Sequence, residues 1–153
     1  MRGVADRRGF SLFELIVVML IIAIASALAV PALQGGWQSR AVRQGTRKLA
    51  GIMRALRERA VRRGVEQELV LDPDGETLHW SDGPGTTLPD GATIAAVSGG
   101  WRDDDGSVRI IFYPNGGTTG FSAIVAGSNG SGIRFAVDVE PLLGAVVVRD
   151  VSG

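Results

Sequence analysis

From Leu15 to Leu33 the chain carries no charged side chain, and a run of that kind admits few folds. Extended back to Phe10 and taken as a helix at about 1.5 Å per residue, it is long enough to cross a hydrocarbon core of about 30 Å. A membrane-embedded or helix-packed state is therefore expected for residues 10–33. Glu14 sits just inside this run. A lone ionised carboxylate there costs about 2.5–3.5 kcal/mol even on the lenient insertion scale, so it calls for a cationic or hydrogen-bonding partner. The plainer reading is an acid near the interface that reaches up to the headgroups.

The residues around that acid read Gly9-Phe10-Ser11-Leu12-Phe13-Glu14, preceded by a short leader with Arg2, Arg7 and Arg8. This hexapeptide resembles the processing site of type IV prepilins and type II secretion pseudopilins. The resemblance implies a dedicated prepilin peptidase that cuts after Gly9 and methylates the new terminus at Phe10. It also implies that Glu14 neutralises the terminal amine of a neighbouring subunit as a filament grows. Pro31 falls where these proteins commonly carry a helix-bending proline. Elementary electrostatics agrees: after cleavage a positive amine on Phe10 lies one helical turn from Glu14, and it or its copy on the next subunit can pair with the carboxylate. Such a pair would set the axial register of packed apolar helices, as a buried polar residue does in a coiled coil.

Two export readings compete. Leu15 to Val30 could serve as the h-region of a secretory signal with Ala27-Leu28-Ala29 as its cleavage site, and Arg7-Arg8-Gly9-Phe10 faintly resembles a twin-arginine signal. Glu14 counts against both, since an h-region has no use for an acid. Orientation is ambiguous from charge alone, because Arg40, Arg43, Arg47 and Lys48 follow the apolar run closely. The processing motif places the leader in the cytoplasm and the remainder outside. Trp37 suits either an interfacial belt or packing against another helix.

After Pro31 and the Gly35-Gly36 pair, which invite a bend or local unwinding, apolar residues recur at helical spacing: Val42, Leu49, Ile52, Met53, Leu56 and Ala60. Arginines dominate the opposite face, and Arg62-Arg63-Gly64 supplies cations and a glycine to end the helix. Residues 1–64 hold twelve Lys or Arg against three acids, a net of +9, and residues 65–153 carry −9. The basic helix and the acidic remainder can neutralise each other; acidic surfaces of adjacent subunits and nucleic acid are the other candidates. A DNA-binding patch would need exposed cations with stacking aromatics, which the acidic remainder does not offer.

Beyond Gly64 the hydrophobic period becomes two. Strands are predicted at 66–71, 77–81, 93–97, 108–113, 121–126, 133–138 and 145–151, divided by Gly, Pro, Asp and Asn clusters. Ile133, Phe135 and Val137 alternate with Arg134, Ala136 and Asp138, the pattern of a sheet with one buried face. Asp72-Pro73-Asp74-Gly75 and Asn129-Gly130-Ser131-Gly132 read as turns. The expected fold is α+β: a long N-terminal helix, membrane-spanning in its first half and amphipathic in its second, packed on an antiparallel β-sheet or sandwich. Its expected parts are a leader (1–9), an apolar helix (10–33), an amphipathic helix (34–64) and a periplasmic sheet domain (65–153).

The run Arg109 to Gly120, followed by a strand, then Ile133 to Asp138 and a closing hairpin through Pro141-Leu142-Leu143-Gly144, resembles the H-type minor pseudopilins and related minor pilins, the GspH/FimT family. The resemblance implies a structural subunit of a type II secretion pseudopilus, anchored in the bacterial inner membrane, with other minor and major pseudopilins, the prepilin peptidase and secreted cargo as candidate partners. Glu14 argues against the K-type tip subunit, which typically lacks that acid, and no calcium loop of the major pseudopilin is found. A minor type IV pilin binding DNA in natural transformation is the alternative.

Catalysis has few parts to work with: one histidine, His79, no cysteine, and no serine in a nucleophile elbow. Asp103-Asp104-Asp105-Gly106 lacks the spacing and terminal Glu of an EF-hand and reads as a solvated turn. Gly116-Gly117-Thr118-Thr119-Gly120 lacks the P-loop lysine and reads as a hairpin connection. No cofactor, metal or catalytic residue is predicted.

Overall fold

The computed structural model describes residues 11–81, 83–130 and 132–152, without the side chains of residues 27–36. The chain forms two compact units, residues 1–36 and 37–153. A single helix, α1 (Leu12–Arg63), contributes to both and is helical throughout, Pro31 and Gly35-Gly36 included.

In the second unit α1 buries the predicted stripe. Val42, Leu49, Met53, Leu56 and Ala60 are at most 2% exposed, and Ile52 packs partly against them. Ala50 and Thr46 join the buried face. Thr46 is tolerated there because its hydroxyl donates back to the Val42 carbonyl at 2.8 Å. The helix stops where Gly64 adopts a left-handed φ of 66°, its N–H donating to the Ala60 carbonyl at 3.0 Å.

Nine strands follow: β1 (Gln67–Leu71), β2 (Thr77–Trp80), β3 (Thr86–Thr87), β4 (Ala92–Gly99), β5 (Trp101–Arg102), β6 (Val108–Phe112), β7 (Phe121–Gly127), β8 (Phe135–Val139) and β9 (Val146–Asp150). They make two antiparallel sheets, ordered β3-β2-β1-β6-β5 and β4-β7-β8-β9. Each predicted strand lies within two residues of an observed one. The additional strands β3 and β5 have two residues each, too short to show a period of two. The Asp72–Gly75 turn joins β1 to β2, with Gly75 N–H donating to Asp72 O at 3.0 Å. Asp74 accepts from the Thr77 hydroxyl and from the Glu76 and Thr77 N–H groups. Thr77's hydroxyl foremost, then those amides, holds the Asp74 carboxyl below its usual value.

The chain crosses between sheets three times: from β3 to β4 through Gly91 (φ 89°), and at two later crossings that also use left-handed glycines. β4 leads to β5 through Gly99 (φ 78°) and Gly100 (φ 69°), and β6 leads to β7 through Gly120 (φ 73°). Gly100 N–H donates to Gly120 O at 2.9 Å, so the two later crossings are tied together. A side chain at Gly100 would press a Cβ to within 2.8 Å of Val108, which makes glycine a requirement of the close approach. The predicted hairpin at Gly116–Gly120 closes locally, through the Phe112–Thr118 bridge, and then delivers the chain to the other sheet.

The core lies between α1 and the sheet faces that alternate inward: Leu69 and Leu71 on β1, Leu78 on β2, Val108, Ile110 and Phe112 on β6, Ala123 and Val125 on β7, Val137 and Val139 on β8. Ala136, predicted to face out, is buried as well at 4%. Its neighbours across the ladder are Ile124 and Arg149, whose longer side chains flank a single methyl.

Candidate assembly site

Two regions present chemistry that the fold does not consume. The first is the start of α1. In the first unit the helix is apolar all round, with Leu12, Phe13, Ile16, Met19, Leu20 and Ile22 each more than half exposed. A helix of that kind is stable when lipid or other apolar helices cover it. Among the described residues no helix is long and apolar enough to cross a membrane; the apolar stretch of the sequence continues at both ends into residues and side chains outside that description. Gly9 and Phe10 lie outside it, as does the side chain of Pro31. Glu14 lies in the first turn of α1 and is exposed. Ser11 precedes the helix and its carbonyl accepts from Leu15 N–H at 3.2 Å. Ser11-Leu12-Phe13-Glu14 therefore also has capping-box spacing, so the acid suits the positive end of the helix dipole.

The second region is the flank of α1 over β8 and β9. The basic face was expected to meet acids of the sheet domain. The described contacts of its cations are mostly with carbonyls and a ring: Lys48 Nζ donates to Thr87 O at 2.6 Å, Arg54 Nη2 to Val146 O at 3.2 Å and Arg57 Nε to Gly116 O at 3.2 Å. Arg43 Cζ lies 5.3 Å from the centre of the Phe135 ring. Carbonyls serve because a helix packed across strand ends meets main-chain oxygens before it meets carboxylates. Arg62 pairs with Glu58 one turn back on the same helix at 3.6 Å.

On the outer face of β7-β8-β9, Asp138 accepts from Ser122 Oγ at 2.7 Å and from Arg149 Nε at 2.8 Å. Burial pushes its carboxyl up, but the hydrogen bonds from Ser122 and Arg149 and the guanidinium charge outweigh it, and the net direction is down. A carboxyl held below its usual value, 3.8, stabilises the fold where it is ionised, and that contribution disappears as pH falls below 3.8 through the lower folded value. Urea unfolding of residues 37–153 should therefore show stability rising from about pH 2.5 to about pH 5. Asp138→Asn should flatten part of that rise. An unchanged slope in the variant would show that the carboxylate is not held this way.

His79 sits exposed on β2 with Nε2 3.1 Å from Asp72 Oδ2. In the 103–106 turn, Asp103 receives Arg109 Nη2 at 2.6 Å and Asp105 accepts from Ser107 N–H. Among the described residues no group of three or more His, Asp or Glu is placed to hold a metal ion. Trp37 is 76% exposed. What sequence reasoning missed is the β9 edge: the run Val146-Val147-Val148 signals a strand, but only the sheet order reveals that, among the described residues, no strand pairs with its outer side.

Comparison with known proteins bears on both regions. The family described as "Type II transport protein GspH" matches residues 45–142, more than half of the chain. The "Prokaryotic N-terminal methylation motif" matches residues 5–30. The chain is 29% identical over 116 residues to the type II secretion system protein H of Xanthomonas campestris pv. campestris, covering 74% of this chain and 68% of that protein. In fold it is similar to the minor pseudopilin EpsH from the Vibrio cholerae type 2 secretion system, with a TM-score of 0.51 at 15% identity over 70% of this chain and 93% of that one. It is equally similar to the type IV minor pilin FimU of Pseudomonas aeruginosa, with a TM-score of 0.51 at 12% identity over 70% and 91%.

Proposed function

This chain belongs to the GspH family of type II transport proteins, the minor pseudopilins of type II secretion, and from that premise we propose a mechanical role for it in the pseudopilus. The leader, residues 1–9, stays in the cytoplasm; the peptidase cuts after Gly9 and methylates Phe10. Residues 10–33 anchor the chain in the inner membrane, with the sheet domain in the periplasm, and then pack with the helices of other subunits. Glu14 meets a terminal amine as protomers stack, and Pro31 bends the helix where it leaves the packed bundle. Extending the filament moves folded cargo toward the outer membrane without any catalytic step in this subunit.

The observation that carries this reading is a methylation motif ending in an all-round apolar helix, directly ahead of a GspH-type sheet domain on the same chain. An apolar helix with an acid in its first turn is unstable in isolation and suits a site where both lipid and a cation are supplied. Mass spectrometry of the protein from its host tests the first step. A mature chain starting at N-methylated Phe10 is expected; one that starts at Val30, or keeps Met1, overturns it.

A further inference from the structure

The two sheets have four edges, and among the described residues three of them are blunted. β3 and β5 are two residues long, and the Thr87 carbonyl on β3 is taken by Lys48. β4 carries a bulge between Ile94 and Ala96, and Ile94 N–H already donates to Gly75 O at 2.8 Å. Short strands, bulges and covered groups are how folded proteins keep sheet edges from pairing. β9 is blunted least: it is five residues long, holds no proline, lysine or bulge, pairs regularly with β8 from Val146 to Asp150, and has one covered group at its first residue, the Val146 carbonyl.

The ladder fixes which groups of β9 point outward. Glu140 N–H donates to Ala145 O, and Val151 N–H to Arg134 O, at 3.0 Å each. By the two-residue alternation of an antiparallel ladder, residues 145, 147, 149 and 151 face β8, while the main-chain groups of Val146, Val148 and Asp150 face away from it. Of these, Val146 O accepts from Arg54. Val147 and Val148 are 49% and 40% exposed, and Val151 beyond the strand is 39% exposed.

Charge says what kind of strand would fit. The side chains of Val146, Val148 and Asp150 share the sheet face of their ladder partners Val139, Val137 and Phe135, the face on which α1 packs. There α1 sets Arg54 beside Val146 and Arg43 over Phe135. Asp150 is the acid that feels Arg43. An incoming strand thus meets two arginines, Arg43 and Arg54, on one face, matched by acids at alternate positions, and the valines of β9.

We infer that β9 is a docking edge for an extended segment of another polypeptide that carries acidic side chains at alternate positions and adds as a fifth strand to the β4-β7-β8-β9 sheet. Main-chain hydrogen bonds to Val148 and Asp150 supply affinity, and Arg43 and Arg54 select acids over bases. The edge belongs to the sheet unit, so the inference stands whether or not the chain is cut after Gly9.

The test uses the full chain in detergent micelles and a seven-residue peptide alternating valine and glutamate, against the same peptide with lysine for glutamate. Hydrogen exchange should show the Val148 and Asp150 amides slowed about tenfold or more by the glutamate peptide and unchanged by the lysine peptide, with binding that weakens as salt rises. Val148→Pro removes the outward donor while sparing the bonds of 147 and 149 to β8, and should abolish binding. Arg43→Glu with Arg54→Glu should weaken the glutamate peptide at least about tenfold and let the lysine peptide bind. This second variant, whose substitutions lie at exposed positions, keeps the test decisive if the proline variant misfolds. The inference fails if neither peptide slows those amides, if both bind alike, if the charge-reversed protein keeps its preference, or if the amides are already protected by a second copy of the chain.

Discussion

Replacing Glu14 by alanine is expected to abolish incorporation of this subunit into filaments while leaving membrane insertion and the sheet domain intact. Under the proposed assembly the acid is the partner of a terminal amine in an apolar helix bundle. Removing it leaves a buried positive charge unpaired, a penalty of about 3–5 kcal/mol, which corresponds to more than a hundredfold loss in the equilibrium for adding one subunit. The capping-box arrangement of Ser11 and Glu14 offers a competing role worth only about 1 kcal/mol, and Glu14→Gln separates the two. Glutamine at the third helical position still satisfies a capping box, but it carries no charge. If charge pairing is the role, the glutamine variant assembles as poorly as alanine in a cross-linking assay of filament incorporation. Near-normal assembly of the glutamine variant would reduce Glu14 to a helix cap, and normal assembly of both variants would remove it from the mechanism.

The second large effect is expected at Phe112. Its ring is wholly buried in the core cluster, while its main chain pairs with Gln67 on β1 and bridges Thr118 just before the β6-to-β7 crossing. Phe112→Ala should cost about 3–5 kcal/mol, because the surrounding strands are held by their ladders and collapse only partly around the cavity. For residues 37–153, which contain the whole buried core, that is a fall in midpoint temperature of more than about 10 °C by circular dichroism. Phe112→Leu, which keeps most of the apolar volume, should lose about a third as much. Val147→Ala, half exposed on β9, should change stability by no more than about 0.5 kcal/mol. A small effect at Phe112 would mean that the core closes around the missing ring.

The contrast between those two residues reflects what each kind of pattern reports. The core side of α1 was legible because burial at Val42, Leu49, Met53, Leu56 and Ala60 follows the helical period, and that period is set by backbone geometry regardless of what lies opposite. Thr46 and Ala50 complete the same face but escape a search for large apolar residues. Seven of the nine strands were legible to within two residues because period two, with Gly and Asp turns between, is equally local, whereas β3 and β5 are too short to show it. The motif at Gly9 to Glu14 was legible because its meaning lies in the order of a few residues, and the match to the methylation motif over 5–30 rests on that same stretch.

Neighbours were not legible. Nothing in the sequence distinguishes β6-to-β7, which changes sheet at Gly120, from β8-to-β9, which stays in one sheet. Both are glycine-containing links between apolar runs, and the choice is made by which strands the other elements leave open. For the same reason the arginines of α1 could be placed on the face away from the core, but not against the carbonyls of Val146 and Gly116. Side-chain periodicity and an ordered motif are properties of the chain itself, so the sequence alone determined the helix, its buried stripe, the strands and the family. Which strand lies at an edge, and which cations stand beside it, depends on contacts between residues far apart in the chain. Those exist only once the sheets have closed on α1, so the tertiary structure alone decided that β9 is the side left open.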